Sequence, residues 1–225
     1  EQGQPIWYFR GFKTNGIFQT QSQVDDFLKN HTTDQGIKVG DPIPVDTDGN
    51  GVISDGDYQY IGSPHPDFVY GARLTMSYKG FDLMVLVQGQ QGNDVLMGFN
   101  RIDRPTANRP EFFWTDRWTP ENKTNAWFAP NSGSKYAYNS DKMLFDGSYT
   151  RIRQLQLGYT LPASLLKKAH IRNARIYGSL DNYFTFTKYK GMDPEAGSND
   201  NNSLGIDRGV YPIPRTAIVG LSFSF

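Results

Sequence analysis

The sequence predicts an all-β protein built from antiparallel strands, each with one apolar face. Three observations carry this: apolar residues recur every second position, tight-turn signals or long polar segments separate those runs, and the composition favours strands and turns. Phe (15), Tyr (13), Gly (23) and Pro (13) are abundant in the 225 residues, a mix suited to pleated strands and their turns.

The first run is FVYGARLTMSY, Phe68 to Tyr78. Tyr70, Ala72, Leu74, Met76 and Tyr78 share one face, with Gly71, Arg73, Thr75 and Ser77 on the other, which is a period of two. After the turn signal Lys79-Gly80, the run from Phe81 places Phe81, Leu83, Val85 and Val87 together, while Met84 and Leu86 make its other face partly apolar. Together they read as a tight hairpin. A second pair follows, Arg151 to Leu161 and Ala174 to Phe186. The last run sets Ala217, Val219, Leu221, Phe223 and Phe225 against Thr216, Ile218, Gly220, Ser222 and Ser224. A sixth candidate strand, Ile6 to Phe18, is rich in aromatics but interrupted by Gly11 and Asn15-Gly16.

Connections alternate in length. Residues 19–66, 92–147 and 187–215 are long, 79–80 is short and 162–173 moderate. Long connections at one side and short ones at the other are the pattern of a transmembrane barrel. Six strands cannot close such a barrel, since single chains start at about eight, and an open edge in lipid leaves backbone groups unpaired. On that reading the chain is a piece of something longer. A soluble β-sandwich with decorated loops satisfies the same alternation, so periodicity leaves both open.

Several function classes drop out. Basic and acidic residues balance at 23 each, which argues against an electrostatic hold on nucleic acid. No cysteine means no disulfide and no thiol nucleophile, and three histidines (His31, His65, His170) make a His-rich zinc site a poor fit. Each histidine reads as a solvated loop or turn residue. No apolar stretch reaches the length of a membrane helix, and the opening EQGQPIWYF has neither a basic nor an apolar leader region. No catalytic motif is present, and acid pairs such as Asp193 and Glu195 read as ordinary loop charges, so the chain is expected not to be an enzyme. Trp114, Trp118, Trp127, Tyr136, Tyr138, Tyr189 and Tyr211 lie in the long connections. Three uses stay open for them: stacking on a ligand, packing loops together, or meeting a partner protein.

One segment has metal-loop spacing. DTDGNGVISDGD, Asp46 to Asp57, fits D-x-[DN]-x-[DN]-G-x5-acid. Asp46, Asp48 and Asn50 would offer side-chain oxygens at loop positions 1, 3 and 5, Val52 its carbonyl at 7, and Asp57 a carboxylate at 12. Gly51 falls at the sharp turn, and Ile53 would anchor the loop on an apolar neighbour. Hard oxygen donors suit a structural Ca²⁺, with Mg²⁺ a poorer fit. Asp in place of Glu at the last position makes bidentate capture less assured. Gly40, Pro42 and Pro44 forbid a helix just before the loop, so a paired EF-hand is not expected. A polar turn holding no ion is the alternative.

The chain resembles the C-terminal part of the SusC/RagA-type TonB-dependent transporters of the Bacteroidota outer membrane. The resemblance is carried by ordered segments: PIWYFRGFKTNGIFQTQSQVDDF (5–27), VDTDGNGVISDGDYQYIGSPHPDFVYG (45–71), SYKGFDLMVLVQGQQGNDV (77–95), WTPEN (118–122), DGSYTRIRQLQLGYTLP (146–162), ARIYGSLDNYFTFTKYKGMDPE (174–195) and RGVYPIPRTAIVGLSFSF (208–225). It implies the C-terminal strands of a large antiparallel barrel, 22 strands in the family, with long extracellular loops and short periplasmic turns. It also implies a plug and a TonB-contacting segment N-terminal to residue 1, contact with outer-membrane lipid, a SusD-like surface lipoprotein as lid, and oligosaccharides or oligopeptides as cargo. The family's metal-like loop maps onto Asp46, Asp48, Asn50, Val52 and Asp57, within an extracellular segment. Its aromatic chain end maps onto Phe223 and Phe225, which resembles a signal for barrel assembly. The expectation is thus part of a nutrient importer, with an extracellular glycan-binding sandwich carrying a calcium-stabilised loop as the alternative.

Overall fold

The computed structural model describes residues 3–98, 109–129, 133–167, 170–195 and 203–225. The chain divides into two compact units. A loop unit comprises Glu1–His65, Asn93–Gly147 and Tyr189–Tyr211, and a sheet unit comprises Pro66–Gly92, Ser148–Lys188 and Pro212–Phe225.

The sheet unit is a five-stranded antiparallel meander. In sheet order its strands are Phe68–Tyr78, Phe81–Gln91, Tyr149–Thr160, Asn173–Thr187 and Thr216–Ser224. Sequence neighbours are sheet neighbours throughout, as short-range antiparallel pairing favours. The first turn is as tight as the sequence requires: Lys79 and Gly80 both take positive φ, 49° and 87°, the backbone of a two-residue hairpin whose twist matches its strands. The 162–173 connection contains a one-turn helix, Ala163–Leu166, with Leu166 buried. Register places both short connections at one end of the sheet, beside Tyr78, Phe81, Thr160 and Arg175. Phe68, Gln91, Tyr149 and Thr187 stand at the other end, where the long connections join.

Pairing also lines the apolar residues into rows across the sheet. Leu74, Val85, Leu155, Leu180 and Ala217 are successive partners; the next row is Met76, Leu83, Leu157, Gly178 and Val219, and the next Tyr78, Phe81, Tyr159, Ile176 and Leu221. The opposite face carries Arg73, Leu86, Gln154, Asp181 and Thr216, then Thr75, Met84, Gln156, Ser179 and Ile218. The register shift between Ile152 and Gln154 skips Arg153 in both pairings. Its guanidinium donates to Gln88 Oε1 (3.0 Å) and Asn182 Oδ1 (3.3 Å). A bulge here bends the strand and tightens local twist.

The sixth expected strand, Ile6 to Phe18, is not part of this sheet. It splits into two short strands of the loop unit, Phe9–Gly11 paired with Gln59–Gly62, and Thr14–Ile17 paired with Pro42–Pro44. The interruption by Gly11 that the sequence shows is where the run breaks. The long connections are also more ordered than their polarity suggests. A helix, Gln21–Asn30, opens on Thr20, whose side chain accepts from Gln23 N, and buries Val24. Further on, Leu144–Asp146, Asp94–Met97 and Ile206–Asp207 form a three-stranded sheet.

What holds the loop unit together is aromatic packing. One cluster gathers Ile17, Met97, Phe113, Trp118, Trp127, Phe128, Ala137, Tyr138 and Met143, and a second Phe12, Phe18, Val24, Ile37, Ile53 and Tyr136. Edge-on contacts recur: Phe113–Phe128 at 5.6 Å, Phe112–Trp127 at 5.2 Å, Phe12–Tyr136 at 4.9 Å, the geometry that ring quadrupoles favour. Of the seven loop aromatics singled out above, five are buried, and only Trp114 and Tyr211 are substantially exposed. Packing is therefore their main use. No described helix is long and apolar enough to cross a membrane.

Candidate functional site

Asp46, Asp48 and Asp57 come together as the spacing predicts, each with a carboxylate oxygen within 4.8 Å of the others. The gathering is enforced locally. Asp46 accepts from the backbone N–H of Gly49 and of Gly51, both at 2.8 Å, and Gly51 sits at φ 77°, a conformation that suits glycine. Asp57 is fully buried. It accepts from Thr47 N (2.7 Å) and from Ser54 N (2.9 Å), the latter half of a reciprocal capping box on the short helix Asp55–Asp57. Asp48 accepts from Asn50 N (3.1 Å) and from Asn50 Nδ2 (2.8 Å). Asn50 Oδ1 in turn accepts from Val52 N at 2.6 Å.

Those donors alter the charge balance of the loop. The Gly51 N–H, foremost, holds the Asp46 carboxyl below the usual carboxylate range; burial opposes it, and Gly49, Asp48 and His31 assist. Three carboxylates kept this close repel one another. Their convergence on hard oxygen donors fits a divalent cation. Val52 lies in a two-residue strand, Val52–Ile53, that pairs in parallel with Thr32–Thr33. Ile53 is fully buried in the second aromatic cluster, the anchoring expected of it.

Two supports of the loop escaped sequence reasoning. His31 is not a free loop residue: it stacks on Phe27 (4.2 Å, 15°), its Nδ1 is 3.0 Å from Phe27 O, and its Nε2 is 4.0 Å from Asp46 Oδ2. Helical spacing of Phe27 and His31 was the available signal. Lys135 pairs with both Asp34 and Asp55 and lies over the Phe12 ring, so Asp55, inside the loop, is clipped to the aromatic core. Burial and the neighbouring Asp34 push the Tyr136 phenol above its ordinary range. Nothing in the sequence placed Lys135 near Asp55, eighty residues away. Asp193, read as an ordinary loop charge, is instead buried and accepts from Glu195 N at 3.0 Å.

The second candidate site is the sheet's apolar face, which stays bare. Met76 (51%), Leu157 (54%) and Val219 (81%) are exposed along one row, and Tyr78, Phe81 and Leu221 along the next. Contiguous apolar surface of this kind marks a protein or membrane contact or a ligand groove. Aromatics flank it at both ends: Phe68, Tyr70, Phe184 and Phe186 by the long connections, and Tyr78, Phe81 and Tyr159 by the short ones. From Tyr70 to Tyr78 the strand advances roughly 26 Å at about 3.3 Å per residue. Phe223 pairs opposite Ala174 and is half exposed, and Phe225 lies one residue past the strand, 79% exposed. Lys168 lies outside the described residues; Lys167 is exposed.

No family model matches the chain. TonB-dependent receptor P3 of Formosa agariphila is 34% identical over 100% of this chain and 22% of its own length. TonB-dependent receptor SusC of Bacteroides thetaiotaomicron is 31% identical over 83% of this chain and 18% of its own. The chain thus spans about a fifth of the length of the curated relatives it matches. Solved structures of the RagAB peptide transporter share the fold, with a TM-score of 0.69 at 24% identity over 97% of this chain and 23% of that one. Matched by such relatives along its whole length, the chain belongs to the SusC/RagA-type TonB-dependent receptors and corresponds to their C-terminal part.

Proposed function

We propose that this chain is part of the wall of an outer-membrane β-barrel that imports nutrients with energy delivered through TonB. The observation that carries the reading is the bare apolar face bounded by two aromatic belts, on a sheet with both edge strands unpaired among the described residues. A transmembrane barrel has that outward band and those girdles, and further strands of the same protein satisfy its edges. The cargo on this reading is an oligosaccharide or oligopeptide, taken up with a SusD-like lipoprotein, and the role is transport rather than catalysis. The names of the relatives support the class.

On the same reading the long connections 19–66, 92–147 and 187–215 are extracellular and the short ones periplasmic. Labelling of intact cells with an impermeant amine reagent tests this. Lys123 should react and Lys167 should react only after permeabilisation; the reverse pattern rejects the orientation. Phe223 and Phe225 act as the assembly signal: Phe225→Asp should lower the heat-modifiable, folded barrel severalfold, whereas a packing role alone leaves its amount near normal.

Asp46, Asp48, Asn50, Asp57 and the Val52 carbonyl are proposed to hold a structural Ca²⁺ that orders the segment carrying them. The closeness of three carboxylates supports this, and Mg²⁺, which demands stricter octahedral geometry, is the lesser candidate.

A further inference from the structure

Arg109 carries a charged guanidinium whose terminal nitrogens meet no acceptor among the described residues. Both of them, Nη1 and Nη2, are shut off from solvent. The guanidinium lies over the Phe113 ring at 4.2 Å and towards the Tyr138 ring at 5.8 Å. Ring contacts use its flat face and leave the in-plane N–H groups unsatisfied. Two more donors of the same aromatic cluster are buried and unpartnered, Trp127 Nε1 and the Tyr138 hydroxyl. Phe113 is 5.3 Å from Trp127 and 5.6 Å from Phe128, which is 5.5 Å from Tyr138.

We propose that Arg109, held between the Phe113 and Tyr138 rings, forms an enclosed oxyanion site that takes one carboxylate in the plane of the guanidinium. Unpaired buried charge is strongly disfavoured, and a counter-charge with hydrogen bonds offsets the cost where a neutral group does not. Water would accept two hydrogen bonds and leave the charge in place. A carboxylate accepts about four, matches the guanidinium fork in a bidentate pair, and neutralises it. This holds whether or not the transport reading does, since it rests on the enclosed terminal nitrogens of Arg109. The carboxylate has two sources, a ligand from solution or an acidic side chain of the protein outside the described residues.

The test is a structure of the full-length protein in sodium acetate and, separately, in sodium chloride, with thermal unfolding of the same samples. A carboxylate within hydrogen-bonding distance of Nη1 and Nη2 is expected. If it is acetate, melting temperature should rise with acetate in the native protein and not in Arg109→Met. If it is a side chain present in both salts, the source is internal and acetate has no effect. Arg109→Lys keeps the charge and loses the planar fork; where acetate binds, its apparent affinity should fall about tenfold or more. Water alone in the site, a guanidinium turned out to bulk solvent, or acetate held equally by Arg109→Met overturns the proposal.

Discussion

In the sheet unit Leu157 has neighbours to either side along its row, Leu83 and Gly178, and stays half exposed, whereas Phe128 in the loop unit is fully enclosed by rings. The two units use apolar side chains in opposite senses. Among the described residues, the loop unit turns them inward into two cores, while the sheet unit sets them in exposed rows and contributes none to either core. Hydrophobicity thus has a different job in each: in one it holds a fold together, and in the other it is left exposed, on the proposed reading to meet lipid.

The contrast breaks most sharply at the core. Phe128→Ala should cost about 3–5 kcal/mol and be felt in the loop unit, read as lost hydrogen-exchange protection there while the sheet strands stay protected. Equal loss in both would mean the units do not unfold separately. Next in size is charge on the outward face: Leu157→Arg should cost about 2–4 kcal/mol at mid-membrane depth and deplete folded barrel, while Gln156→Arg, one residue along and on the polar face, leaves it near native amounts. Similar behaviour of the two would remove the lipid-facing assignment. The smallest effect sharpens the loop unit. Asp46→Ala with Asp48→Ala should abolish bound calcium, measured on the purified full-length protein, and the calcium-dependent gain in stability, about 2.7 kcal/mol at a hundredfold excess over Kd. Retained metal would place the ligands elsewhere.

How much was legible in advance follows the same divide. Alternation from Phe68 to Tyr78 and from Thr216 onward is local information with a fixed period, and Lys79-Gly80 names its own turn, so the sheet read out nearly whole. The gathering of Asp46, Asp48 and Asp57 was legible because the three lie within twelve residues and their spacing encodes the turns between them. The loop unit has no period to read. Its contacts join Phe12 to Tyr136 and Lys135 to Asp55, and sequence distance hides such pairs. The broken strand at Ile6–Phe18 failed for a related reason, since aromatic richness there serves a core, not a sheet face.

The polar face of the sheet holds one feature with a mechanical meaning. Arg175 Nε donates to Asp82 Oδ1 at 2.9 Å, although these residues lie on strands that are not neighbours, with Gly158 between them as the partner of Asp82. A β-carbon at 158 would come within 2.3 Å of the guanidinium and 2.6 Å of the carboxylate. The ion pair therefore works as a latch thrown across three strands, and the empty seat of Gly158 is its keyhole. Sliding any of the three by one residue would move the latch parts to opposite faces, so the strands are proofread against misalignment at the end of the sheet that carries the short turns. A side chain at 158 would have to push aside the tips of both Arg175 and Asp82.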